Sequence, residues 1–310
     1  MKKHRLLVAL AALVAAMLST ADAVAAIDVV TTTEDLASIV REVGGDKVTV
    51  EALAKGYQDP HFVEAKPSFI LRLNRAGLLV VVGRELESAW LPALITQSRN
   101  SKIQPGAPGY LDSSLTAKIL DIPTGQITRA MGDVHPQGNP HFWLDPENGR
   151  RIAQAVQGKL SALSPADAAY FAQRLADFDR RLREATARWK AAMAPYKGTK
   201  VVTYHRSWSN FVDAFGLDVV GYVEPKPGIP PSPGHTLALE QEMKRQNVRI
   251  VLVEPYFDLK TPEAISRDTG ARVVVLLPSV GGTKDVQSYF QLFDYDINLL
   301  VRAIKETGAR

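Results

Sequence analysis

The 310-residue sequence contains no cysteine, which excludes disulfides, thiolate-bound metals and cysteine nucleophiles together. Stability has to come from packing alone. Histidine is scarce, six in all, and no compact zinc motif such as His-Glu-x-x-His is present. Past the first eighteen residues, no apolar run approaches the length of a membrane span. Neither charge sign is in large excess: a formal net charge of +4 indicates neither nucleic acid nor an acidic membrane surface as a partner. Internal repeats and low-complexity tracts are absent too. What is there is 46% hydrophobic and 23% charged, the balance of an ordinary globular chain.

The beginning, "MKKHRLLVALAALVAAMLSTADAVAA", has the layout of a secretory signal. Lys2, Lys3 and Arg5 precede an apolar run from Leu6 to Leu18, and Ala23-Val24-Ala25 supplies a small-x-small cleavage pattern. Residues 1–25 are therefore read as a signal peptide. Its loss removes three cations and one acid and halves the net charge. With no cysteine to carry a lipid, the expected location is the periplasm, reached by a signal peptide and not as a lipoprotein.

From Ile27 onward, short branched apolar runs alternate with helical patterns. "IDVVTTT", "KVTVEAL" and "GLLVVVG" in the first half have counterparts in "KVVTYH", "LDVVGYV", "RIVLVEPY" and "ARVVVLLP" in the second. Alternation of this kind predicts an α/β fold with mainly parallel sheets. Between the halves, Phe171, Leu175, Phe178, Leu182, Ala185 and Trp189 recur every three or four residues and predict one long helix. Ser164 is its expected N-cap and Pro165 its first helical residue. The helix reads either as a connector packing along both halves or as a long core helix of one domain. The expected division is 26–163, a connecting helix over 164–195, and 196–310.

Three of the five histidines beyond the signal stand where connections leave strands or enter helices. His205 follows "KVVTY", His61 lies beyond "KVTVEAL", and His141 comes four residues before Asp145, the expected cap of a helix opening with Pro146. In open α/β sheets, ligands collect at the carboxyl ends of strands. Two imidazoles from the first half and one from the second can converge there, and neutral imidazoles suit Zn²⁺. His135 is read as a solvated loop residue, with assistance in capture or capping of the site as the alternative, and His235 as a local hydrogen-bonding group. Glu64 is a candidate acceptor for a ligand imidazole N–H. Phe62, Phe142, Trp143 and Trp208 are read as packing that shapes the histidine loops.

At these segments, "DPHFVEAKPS", "GNPHFWLDPENG" and "VVTYHRSWSNFVDAFGL", the chain resembles the periplasmic zinc- and manganese-binding receptors of ATP-driven (ABC-type) metal importers. That family includes the zinc receptors and the treponemal metal receptor. The resemblance spans the mature chain and implies two Rossmann-like α/β lobes joined by a rigid helix, with the metal between them. It implies His61, His141 and His205 as ligands. A third imidazole, where manganese receptors carry a carboxylate, favours Zn²⁺ over Mn²⁺. Two departures stand out. Pro278, Ser279 and Val280 occupy the place of the family's usual fourth ligand, an aspartate, leaving Glu254 or water as the expected fourth. The long histidine-rich loop of some zinc receptors is also missing.

The resulting expectation is a non-enzymatic, monomeric receptor that captures Zn²⁺ and passes it to the membrane permease of an ABC importer, with a periplasmic metallochaperone as a further candidate partner and no nucleic acid. Two alternatives stay open. One is a zinc-dependent hydrolase, since three histidines with an open position also describe catalytic zinc. The other is a manganese or iron receptor of the same family.

Overall fold

Runs of valine, isoleucine and leucine, buried on both faces in the inner strands, build two separate four-stranded sheets. The computed structural model describes residues 26–309 apart from 126, 129, 130 and 133; the segment read as a signal peptide lies outside the described residues. The first sheet comprises β1 (Ile27–Thr31), β2 (Val48–Ala52), β3 (Leu78–Val81) and β4 (Tyr110–Asp112), and the second comprises β5 (Lys200–Thr203), β6 (Asp218–Tyr222), β7 (Ile250–Val253) and β8 (Arg272–Val275). The strand orders are β2-β1-β3-β4 and β6-β5-β7-β8. Every pairing is parallel, with Val29 opposite Val50 and Val202 opposite Val251 as examples of register. β3 and β7 are buried along their whole length, as parallel strands covered on both faces must be. The expected α/β class with parallel sheets is the one observed.

The helices are α1 (Glu34–Gly44), α2 (Pro67–Arg75), α3 (Leu91–Ser98), α4 (Pro146–Leu163), α5 (Ala168–Met193), α6 (Ser209–Phe215), α7 (Pro233–Gln246), α8 (Lys260–Thr269) and α9 (Tyr289–Thr307). In both sheets the first strand lies between the second and third, so the strand order reverses beside it. Such a switch point leaves a crevice at the carboxyl ends of the strands. His205, Glu224 and Glu254 all sit just beyond the carboxyl ends of adjacent strands, β5, β6 and β7 respectively.

The 26 residues of α5 run about 39 Å. Phe171, Phe178, Leu182, Ala185, Trp189 and Met193 are its buried stripe. It is entered through one 3₁₀ turn, Pro165–Asp167. The Ser164 side chain accepts no hydrogen bond from that turn, although its carbonyl accepts the Asp167 N–H at 3.1 Å; its hydroxyl donates to Asp167 Oδ2 at 2.7 Å while its N–H closes α4 on Leu160. The two readings of this helix merge, because α5 is both bridge and core. Its stripe belongs to one continuous apolar cluster containing Leu36 and Val80 of the first half together with Val201, Phe211, Leu252 and Phe293 of the second. A smaller cluster backs each sheet on its outer side.

Polar contacts fasten the halves as well. Trp143 Nε1 donates to Pro278 O at 2.9 Å, and the Tyr289 N–H donates to Ser38 Oγ at 2.9 Å. The Pro278-Ser279-Val280 stretch is thus a docking strip against the first half. Gly56 lies so close to it that a Cβ there would fall on Val280 O.

Candidate metal centre

Two short frames of the same design present the first-half histidines. In Asp59-Pro60-His61, Asp59 Oδ1 accepts both the His61 main-chain N–H at 2.9 Å and its ring Nδ1–H at 2.7 Å. In Asn139-Pro140-His141, Asn139 Oδ1 accepts the His141 N–H at 2.9 Å and Nδ1–H at 3.0 Å. One oxygen two residues upstream therefore fixes both the turn and the ring, the proline between them restricting the backbone. Asp145, whose side chain accepts from Glu147 N, starts α4 as expected and holds the end of the second frame. Asn139 reaches across the crevice too, donating to Arg206 O at 2.7 Å.

The third imidazole comes from the other half. His205 Nδ1 donates to Glu224 Oε2 at 2.7 Å. With all three Nδ1 atoms tied to oxygen, each Nε2 is the free donor atom, the orientation that metal-bound histidines adopt. One potential ligand atom from each of His61, His141 and His205 falls within 4.8 Å of the others. The ring centroids lie 5.1 to 5.6 Å apart. His141 Nε2 is buried without any hydrogen-bond partner. An unsatisfied buried nitrogen is costly in a folded protein, and a cation drawing on its lone pair removes that cost. The three residues expected to meet do meet, between the two lobes.

Electrostatics fit a cation. Burial, reinforced by the neighbouring imidazoles, pushes the His141 pKa well down and keeps the ring neutral. Burial would also lower that of His205, but the Glu224 hydrogen bond and the charges of Glu254, Glu224 and Asp59 raise it instead. Burial works to raise the Asp59 carboxyl, yet hydrogen bonds and charge from His61, with the charge of His205, hold it below the usual range. Three acids thus surround three imidazoles.

Glu254 lies outside the group of mutually close ligand atoms. It is 0% exposed, and burial lifts its pKa to about 7 against the opposing influence of His205 and the Ser207 hydroxyl. Its charge acts on His205 from behind. Several smaller expectations change. His135 is no solvated loop residue: its Nε2 is 3.2 Å from His61 Nε2, and burial lowers its pKa to about 4. Glu64 is exposed and takes no part; the acceptors are Asp59, Asn139 and Glu224. Phe62 is 66% exposed and its ring reaches only the edge of the site, 6.2 Å from that of His61, whereas Phe142, Trp143 and Trp208 are buried as expected. His235 Nε2 contacts Tyr222 O at 2.9 Å, the local role expected of it.

Two parallel-sheet lobes sharing a core, with a nitrogen-donor cluster at the crevice between them, define a metal-binding solute receptor. Residues 29–303 match the model of a family described as "Zinc-uptake complex component A periplasmic", and the chain belongs to that family. Among relatives, it is 23% identical to the manganese ABC transporter substrate-binding lipoprotein PsaA of Streptococcus anginosus, over 90% of this chain and 89% of that protein. It is 31% identical to the high-affinity zinc uptake system protein ZnuA of Haemophilus influenzae, over 45% of this chain and 42% of that one. A crystal structure of ZnuA superposes with a TM-score of 0.73 at 26% identity, covering 92% of this chain and 99% of its own.

One expectation is overturned by these relatives. Several that align along about nine-tenths of this chain are named lipoproteins, which conflicts with the reading of a receptor that is not lipid-anchored. The extracytoplasmic location stands and the exclusion of an anchor is withdrawn. How a receptor is retained depends on the envelope around it, and the absence of one residue type does not decide that.

Proposed function

We propose that this chain captures Zn²⁺ outside the cytoplasm and delivers it to the membrane permease of an ABC importer. His61, His141 and His205 are the ligands in this reading, and the cation is cargo. The observation that carries it is the common orientation of the three rings, each with Nδ1 bound to an oxygen and Nε2 left for the crevice. Zinc accepts three neutral nitrogens readily, whereas manganese prefers oxygen. The family description names zinc uptake and one relative is named for zinc, while another is named for manganese. The donor set tips the choice to zinc.

Binding leaves a doubly charged ion among neutral rings. Asp59 and Glu224 offset that charge through the very histidines they orient, and Glu254 does so through space. The same carboxylates make each imidazole a better donor. Delivery requires the ion to leave again, and His61, the least buried of the three, is the ligand best placed to let go first.

The hydrolytic alternative needs a base beside a metal-bound water. Glu64 is exposed, and Glu254 is outside the ligand cluster. The relatives are named as substrate-binding proteins, which supports the receptor. Titration of metal-stripped protein decides the matter. One zinc per chain, bound more tightly than manganese and lost in His205→Ala, is expected without esterase or phosphatase turnover. Zinc binding unaltered in His205→Ala, or turnover abolished by Glu254→Gln, overturns the reading.

A further inference from the structure

His135 is the one histidine near the cluster that the receptor reading leaves without a task, and its surroundings are built. It lines a cavity of about 270 Å³ together with His61, Phe62 and Glu85. It also lines the smaller pocket that holds His141 and His205. The ring therefore stands in the wall between an outer opening and the inner site. Its Nε2 faces His61 Nε2 at 3.2 Å. Two nitrogens bound tetrahedrally to one zinc at about 2.0–2.1 Å lie roughly 3.3–3.4 Å from each other, so this pair already has the spacing of two ligands on one ion.

The loop carrying His135 is held by a backbone that chains seldom adopt. Gly83, Arg84 and Glu85 follow β3 with φ of +86, +53 and +65 in succession, and left-handed non-glycine residues are uncommon, gathering at ligand-holding sites. A Cβ on Gly83 would fall on the Asp112 carboxylate, so only glycine can open this turn. Glu87, buried, accepts the Val82 N–H at 2.7 Å and the Gly83 N–H at 3.0 Å and pins the turn from below. Arg84 Nη1 then donates to Gln137 O at 3.2 Å, and the Arg84 main chain hydrogen-bonds the His135 ring. The design repeats that of the other three histidines: one ring nitrogen is anchored to oxygen and the other is turned to the cation.

We infer that His135 is the fourth ligand, completing a four-imidazole site from a loop that opens and closes it. In the metal-free state, His61 Nδ1 donates to Asp59 and the other nitrogen of His135 donates to the Arg84 carbonyl, so the two Nε2 atoms face each other as lone pairs at 3.2 Å. Zinc draws on both lone pairs. No proton has to move within the His135 ring when the ion arrives. His135 does not belong to the group of atoms mutually within 4.8 Å, so its ring closes inward on binding and withdraws on release ahead of His61, the least buried of the other three. Glu254 remains uncoordinated.

This inference rests on the three-histidine reading, and the test separates the two. Zinc K-edge X-ray absorption of the loaded protein is expected to show four imidazole neighbours, falling to three plus an oxygen in His135→Ala and in His135→Gln. Zinc release to a competing chelator should accelerate about tenfold or more in both variants. His205→Ala serves as the reference. If it retains wild-type zinc binding, the underlying reading fails. If it loses zinc while wild type shows three imidazoles and an oxygen, and the His135 variants release zinc at the wild-type rate, the fourth-ligand inference alone is overturned. Circular dichroism of the metal-free variants checks the fold. The wild-type absorption spectrum by itself separates four imidazoles from three, even if a variant fails to fold.

Discussion

Ser279 Oγ donates to Asp35 Oδ2 at 2.5 Å, joining residues 244 positions apart, and the Val280 N–H donates to Asp35 Oδ1 at 2.9 Å. Where a carboxylate ligand is expected from the family likeness, this chain uses the strip to sew its second half to α1 of its first. The strip cannot serve both purposes. A Ser279 turned into the crevice would leave Asp35 buried without its hydroxyl partner.

Asp35 makes that seam sensitive to pH. Burial, opposed by the hydrogen bonds from Ser279 and Val280, raises its pKa from 3.8 to about 7. A carboxyl raised on folding binds more protons folded than unfolded, so its stabilising contribution is full below the unfolded pKa and is lost as pH rises through the folded one. The window here runs from about pH 4 to pH 7, and the loss is bounded at ~4 kcal/mol. Urea unfolding of metal-free protein should show Asp35→Asn gaining on wild type progressively across that window. Parallel curves for the two proteins would refute the assignment.

Glu224 is expected to matter for affinity although it touches no cation in the proposed site. Loss of an orienting partner of a ligand histidine typically costs 10–100-fold in metal affinity, and Glu224→Ala should fall in that range. At position 59 the parallel frame sharpens the expectation. Because an asparagine performs the same two-bond task at position 139, Asp59→Asn should keep most of the affinity that Asp59→Ala loses. Competition titrations against a zinc chelator measure all three, and equal losses for the two Asp59 variants would contradict the frame's role.

Much of this arrangement is legible in the sequence, unevenly and for physical reasons. Alternating apolar runs disclose parallel sheets because burial on both faces leaves that signature. His61, His141 and His205 stand out as residues at the mouths of connections. The anchors of the first two are written beside them, since "DPH" and "NPH" each place an Asx residue two positions ahead. The proline signals only a turn, however, and the ring-holding oxygen emerges once the side chains are placed. Glu224 leaves no such trace. Its approach to His205 depends on β5 pairing with β6, a contact that no local pattern encodes. His135 reads as solvated because nothing in "GDVHPQGNPH" tells that Arg84, some fifty residues earlier, grips the loop. The docking of Pro278 to Val280 on Asp35 is a long-range contact of the same kind.

The shared core predicts how the protein unfolds. Phe178 on α5 is 0% exposed, stacks edge-on with Phe290 and belongs to the cluster that includes both sheets. Phe178→Ala should cost about 3–5 kcal/mol. More tellingly, it should lower a single transition seen alike by tryptophan fluorescence and far-ultraviolet circular dichroism. Two separated transitions, one for each lobe, would show that the helix links the halves without unifying them.

Zinc should raise stability by mass action, and His141 exposes what the protein gives up to hold it. Free zinc at a thousand times its dissociation constant adds about 4 kcal/mol, which a chelator should remove while the sheets and core persist. His141→Leu abolishes that rise, because its nitrogen donor is gone. The same change eliminates a buried Nε2 that has no partner in the metal-free protein, and Asn139 Oδ1 still receives the main-chain N–H of residue 141. The metal-free variant should therefore be more stable than metal-free wild type, by about 1–3 kcal/mol if the leucine packs without strain. Thermal melts of both proteins, with and without zinc, are expected to cross: wild type higher when loaded, the variant higher when stripped. A variant that is weaker in both conditions would mean that His141 is held in place for packing, with its ring nitrogen no liability at all.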